Sequence, residues 1–126
     1  MISNRDREKI LNALKLILVD EAFKTSPKSS AFLRFVVMQT LDGNGDRIKA
    51  YTIAVDALGK PSTFDPQGDP SVRVMAKRLR DMLDVYYEKP LEHEVVVHMQ
   101  PGSYVPQFVI PNNSNQSDNF NNSSCS

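Results

Sequence analysis

Apolar residues recur at helical spacing in three long stretches of the chain and gather into two short runs near its end. Ile10, Leu14 and Ile17, with Leu11 and Leu18 beside them, mark a first helix over about residues 4–20. Ser3, followed three positions later by Asp6, makes its start close to a capping box, with Asp in place of the usual Glu or Gln. Leu16 to Val19 are all apolar, more than one helix face can use. The surplus is buried either on two sides within one domain or against a second copy of the chain. Pro27 then breaks the pattern. A second helix runs from Ser29 or Ser30 to Leu41 and carries Phe32, Leu33, Phe35, Val36, Val37 and Met38, so it belongs at the centre of the core. Gly43-Asn44-Gly45 ends it with residues that tolerate positive φ.

Arg47 to Lys49 reads as a short strand, and Thr52 to Leu58 as a brief third helix stopped by Gly59. Residues 60–68 form a loop. The fourth helix has the clearest start in the chain. Asp69 is a strong N-cap residue, and Pro70 suits the first helical position, where a missing N–H does no harm. The helix continues to about Tyr87. Val72, Ala76, Leu79, Leu83 and Tyr86 fall on one face of it, which predicts the side that meets the core. Two strands follow, Glu94 to Met99 and Tyr104 to Val109, joined by Gln100-Pro101-Gly102-Ser103. Pro followed by Gly fits the two central positions of a type II turn, so the pair reads as a β-hairpin.

After the first helix the order is helix, short strand, helix, helix, strand, strand. This is the order of a winged helix, here mostly α with a small β-hairpin and an added N-terminal helix. Residues 1–110 are expected to form this one domain. In such a fold the third and fourth helices make a helix-turn-helix pair, and the second of the pair enters the major groove of DNA.

Charge sharpens that expectation. Lys and Arg number 15 and so do Asp and Glu, giving a formal net charge of zero, whereas most domains that bind nucleic acid are basic. The charges are segregated, however. Arg73, Lys77, Arg78 and Arg80 have no acid among them, while Asp81, Asp84, Glu88, Glu92 and Glu94 face the single Lys89. The first half of the helix is therefore expected to contact double-stranded DNA. Its four cations would reach phosphates or the O6 and N7 of guanine, and Val74 would meet a thymine methyl. Lys49 and Lys60 are expected at the backbone, with Gln100 and Ser103 touching it from the hairpin. The alternative is an ordinary solvated face, in which Lys77 pairs with Asp81 and Arg80 with Asp84 for about 0.2–0.5 kcal/mol each.

Val72-Arg-Val-Met-Ala-Lys-Arg-Leu-Arg80, then Leu83, then Gly102-Ser-Tyr104, resembles the end of the OmpR-type winged-helix domain of response regulators. That family has a Val-x-Val start, an Arg-Leu-Arg core, a Leu four residues after that Leu, and a Gly-x-Gly-Tyr wing. The resemblance covers about Ser29 to Phe108. It implies that the helix at 70–87 is the recognition helix and that Met99 to Tyr104 is the wing. The wing here reads Gln-Pro-Gly-Ser-Tyr, without the family's first Gly and its usual Arg. A helix stands where the family has an N-terminal four-stranded sheet. The chain also looks like a segment at the N-terminus of some bacterial multidomain proteins with cyclase-like or helical-repeat partners.

Other chemistry finds little support. His93 and His98 have Glu92 and Glu94 nearby but lack the three or four convergent ligands that a metal needs. Asp42-Gly43-Asn44-Gly45-Asp46 lacks the distal Glu and the sixth-position Gly of a calcium loop. No nucleophile elbow or glycine-rich phosphate loop is present, so no catalytic residue and no cofactor is expected. Cys125 is the sole cysteine and has no partner for a disulfide. No apolar stretch approaches the length of a membrane span. A cytoplasmic, DNA-binding homodimer, joined through the N-terminal helix, is the resulting expectation; a protein-interaction module on the same scaffold is the alternative. Residues 111–126, rich in Asn and Ser, are expected to be disordered, with Phe120 as a candidate anchor.

Overall fold

The chain is mostly helical with a small two-stranded antiparallel sheet. A computed structural model describes residues 2–89 and 93–110. The tail at 111–126, with Phe120 and Cys125, lies outside the described residues, as does Glu92.

Helix α1 spans Asn4–Leu18, and Ser3 caps it by accepting the Asp6 N–H at 3.1 Å. The expected extension to residue 20 does not occur. Asp20 turns extended, and its carboxylate accepts the Ala22 N–H, which starts a separate short helix, α2, at Glu21–Lys24. Helix α3 covers Pro27–Leu41. It begins earlier than the expected Ser29 or Ser30, because Pro27 sits at its first position, a place where proline is tolerated. Proline thus opens this helix rather than merely breaking the chain. At the other end Gly43 takes φ 80°, and the Asn44 N–H returns to the Gln39 carbonyl, closing a Schellman turn. Arg7 of α1 reaches the same end, donating to the Leu41 carbonyl at 2.9 Å and to the Asp42 carboxylate at 3.2 Å.

The strand expected at Arg47 to Lys49 is absent. Gly45–Arg47 forms a 3₁₀ turn, and the one sheet among the described residues has two strands, neither of them here. Thr52 explains the difference. Its hydroxyl donates to the Arg47 carbonyl at 2.6 Å and accepts the Lys49 N–H at 3.0 Å, so the backbone groups a strand would offer are engaged locally. Helix α4, Ala50–Thr52, then runs into a π-turn at Ile53–Ala57, two residues ahead of the expected start at Thr52. Gly59 stops it as expected, at φ 72°.

Helix α5 spans Ser71–Tyr87. Pro70, not Asp69, is its cap residue, since the Val74 N–H bonds the Pro70 carbonyl. Asp69 still receives the Ser71 N–H at 2.9 Å. Strands β1 (Val96–His98) and β2 (Gln107–Val109) pair with Val97 opposite Phe108 and are shorter than expected. Between them Gly102 takes φ 86° and the Ser103 N–H bonds the Gln100 carbonyl, as a type II turn requires.

One core joins these elements. Ile10, Leu14 and Ile17 of α1, five apolar residues of α3, Ile53 and Ala54, the α5 stripe, and Val95 and Val97 all bury in it. The α5 stripe is the expected one: Val72, Ala76, Leu79, Leu83 and Tyr86. Tyr104 ties the hairpin to α3 by an edge-on contact with Phe32 at 6.3 Å between centroids.

Opposite faces of α5 should respond oppositely to truncation. Leu79 is fully buried, and Leu79→Ala is expected to cost about 2–5 kcal/mol. Val74 is 61% exposed, and Val74→Ala should stay within about 0.5 kcal/mol. Urea unfolding of the two variants beside the parent measures both.

Candidate nucleic-acid interface

Burying the apolar stripe of α5 decides where its cations go. Val74 and Lys77 point most directly into solvent, Arg73 and Arg80 lie on one shoulder, and Arg78 lies on the other. Arg73, Lys77 and Arg78 are exposed; Arg80 is half-buried. None is held firmly. The Arg73 guanidinium donates to the Pro66 carbonyl at a long 3.3 Å. Lys77 pairs with Asp81 at 3.3 Å, one turn on, with both side chains largely in water. Such a pair contributes only about 0.3–0.5 kcal/mol, so a phosphate can displace it at little cost. The expected pair of Arg80 with Asp84 does not form among the described residues.

Lys60 joins this group from the loop after Gly59. Its charge and that of Arg73 both act on Asp69. The Asp69 carboxyl is held below its ordinary range first by the Ser71 N–H, which donates to it at 2.9 Å, and more weakly by these two cations. Lys60 and Arg73 thus share the entrance to α5. Lys49 is exposed ahead of α4, and its backbone N–H is spent on Thr52. The hairpin residues have structural duties. The Gln100 carbonyl closes the turn, while its side chain is exposed. The Ser103 hydroxyl accepts the Val105 N–H at 3.2 Å. Lys60 and Arg73 act together on Asp69, whereas no hydrogen bond or ion pair joins Gln100 or Ser103 to the α5 cations or Lys60 among the described residues.

The acidic half of α5 is built differently. Lys89 forms an ion pair with Asp20 and lies over the Tyr86 ring, so the end of α5 is fastened to the start of α2. His93 packs against both Tyr86 and Tyr87, with centroids 5.4 and 4.8 Å away, and its buried Nε2 has no partner among the described residues. His98 is exposed on β1. Among the described residues, no three of His, Cys, Asp or Glu gather as a metal site would require. Nor is any helix there long and apolar enough to cross a membrane.

Sequence reasoning missed α2 and the grooves it makes with α5. One runs along Ala22, Met82 and Val85, with three acids (Asp20, Glu21, Asp81) and two cations (Arg78, Lys89) also lining it, and has a volume of about 480 Å³. The signal was present in Asp20-Glu21, a cap residue and an acid in the correct order for a helix start.

Compared with known proteins, the chain matches no family model, no curated protein and no solved structure.

Tyr87 links α5 to the hairpin and gives this region a pH dependence. Its phenolic oxygen accepts the Val97 N–H at 2.9 Å. Burial raises its pKa above the ordinary 10.0, and that hydrogen bond opposes the rise only in part. Burial likewise raises Tyr86. A phenol with a raised folded pKa contributes stability below about pH 10 that is lost as pH climbs through the raised value. Tyr87→Phe should cost about 1 kcal/mol at pH 8, where Val97 loses its acceptor, and should lessen the further loss at pH 11. Urea melts at the two pH values check both parts.

Proposed function

We propose that this chain is a non-catalytic DNA-binding module of winged-helix type that places the first half of α5 in the major groove. It would serve as a transcriptional regulator or an accessory factor on DNA. One observation carries the reading: the solvent side of α5 from Arg73 to Arg80 bears four cations and no acid, with an exposed valine between them. Lys77, Arg73 and Arg78 would take phosphates or guanine edges, and Val74 a thymine methyl. Arg80 and Lys60 would flank them on the Arg73 shoulder, and Lys49 would touch backbone from the start of α4. Gln100 and Ser103 would approach backbone from the turn between the strands. The acids from Asp81 onward would tilt the second half of the helix away from the duplex.

The succession of α3, α4 with its π-turn, α5 and the hairpin supports this reading. So does the similarity of Val72 to Arg80, Leu83, Gly102 and Tyr104 to the OmpR-type pattern, with Arg78-Leu79-Arg80 as its Arg-Leu-Arg core. A single module of zero net charge has few phosphate contacts to spend, which favours a pair. Leu16 of α1 and Val19, which caps its end, are 60% and 64% exposed and would form the contact between two copies. The largely apolar groove between α2 and α5, lined by charges of both signs, favours a second reading, a module that binds protein instead of DNA.

The test is fluorescence anisotropy with random-sequence duplex DNA across a salt series. Four phosphate contacts give a log–log slope of roughly −3.6, at about −0.9 per contact. Replacing Arg73 and Lys77 by Ala should remove about half of that slope and leave the melting temperature nearly unchanged. Absence of binding at low salt, or unchanged binding by the double variant at moderate salt, would overturn the proposal in favour of the protein-binding reading.

A further inference from the structure

The first turn of α3 leaves unused what a helix start normally spends. Its cap residue, Ser26, makes no side-chain cap bond, and the turn contains no acid. It carries Lys28 instead, at the positive end of the helix dipole, where a cation is unfavourable. The backbone N–H groups of Lys28 and Ser29 have no partner among the described residues.

A second observation is independent of the helix end. Ser29 is 1% exposed, the one buried polar residue in the described core, and its hydroxyl has no hydrogen-bond partner among the described residues. A buried hydroxyl without a partner destabilises the fold unless something else bonds it. Ser29 lines a cleft of about 430 Å³ whose other walls are Thr25, Ser26, Pro27 and Lys28 and, across from them, Met75 and Arg78 of α5; the Thr25 hydroxyl is already spent on the Glu21 and Ala22 carbonyls. No carboxylate lines this cleft. Asp20, Glu21 and Asp81 line the neighbouring groove, which shares Arg78 with it.

We propose that this cleft is a phosphate site that holds one backbone phosphodiester of the duplex lying along α5. The inference rests on the DNA-binding reading and adds a contact from outside the helix-turn-helix pair. Two amide N–H groups and two hydroxyls supply directed donors, and Lys28 and Arg78 supply charge. The position suits a helix in a groove, which has a phosphate strand on each side. Arg73, Arg80 and Lys60 stand beside one strand. Arg78, on the opposite shoulder and one turn beyond Val74, stands beside the other, and the first turn of α3 completes its grip. Lys28 is then explained as a cation placed against a phosphate rather than against an empty helix end.

The experiment follows the amide resonances of Lys28 and Ser29 in the ¹⁵N-labelled chain, titrated with random-sequence duplex and separately with inorganic phosphate. Anisotropy of Ser29→Ala and Lys28→Gln runs beside it. Both amides are expected to shift with duplex. Ser29→Ala should bind DNA roughly tenfold more weakly while melting no lower than the parent, a combination that a packing role for the hydroxyl would not produce. Lys28→Gln should reduce the salt slope by about 0.9. If the parent binds DNA but both variants bind equally well and the amides stay still, the site is wrong and the α5 reading stands. If phosphate moves the amides and duplex does not, the cleft takes a free anion and the DNA assignment falls. If the parent binds no DNA even at low salt, both proposals fall.

Discussion

Five side chains of α5, Val72, Ala76, Leu79, Leu83 and Tyr86, have to leave water together, because they form one stripe of a helix half of whose other positions are charged. The core of α3 receives them, with Phe32, Leu33, Val36 and Val37 fully buried. Everything on the outer side of α5 inherits its direction from that contact. Arg73, Lys77 and Arg78 are exposed because the stripe opposite them cannot be. A helix rotated by one residue would bury a cation and expose Leu79, and the desolvation cost of the charge alone forbids it. The candidate interface is thus a by-product of core packing.

The two ends of α5 are secured by different means. Its start has the Asp69 carboxylate on the Ser71 N–H and the Arg73 guanidinium on the Pro66 carbonyl, both local to the loop that leads in. Its end is tied to remote parts of the chain. Lys89 pairs with Asp20, whose other oxygen caps α2, and Tyr87 bonds the backbone of β1. The exposed cations therefore project from the half of the helix with the looser polar attachments. The acidic half is flanked by α2, His93 and the hairpin, while Asp81, Asp84 and Val85 stay exposed.

What could be read from the sequence follows the range of the forces involved. The buried stripe of α5, the hairpin turn at Pro101-Gly102, the glycine stops at 43 and 59, and the Ser3 cap all depend on residues within a few positions of one another. Each was legible for that reason. The strand at Arg47 to Lys49 was not, because its apolar Ile48 says nothing of a Thr52 hydroxyl that claims the backbone groups a strand would need. Helix α2 was obscured by its four-residue length, though Asp20 announced it. The site is legible in the same uneven way. The solvent side of α5 is a property of one helix and could be drawn on a wheel. The joint effect of Lys60 and Arg73 on Asp69, the tether of Arg73 to Pro66 and the unpartnered hydroxyl of Ser29 all depend on how separate elements meet.

The π-turn at Ile53–Ala57 has a consequence for how the chain tolerates change. Its closing bond runs from the Leu58 N–H to the Ile53 carbonyl, five residues back. Such a turn holds one residue more than an α-helical turn needs, so the segment amounts to a helix with a single insertion in its ladder. Losing one residue there would leave a regular helical turn behind instead of a gap. Variation in length between α3 and α5 is thus accommodated in two places: the open loop before α5, and this spare residue in an element whose Ile53 and Ala54 are wholly buried.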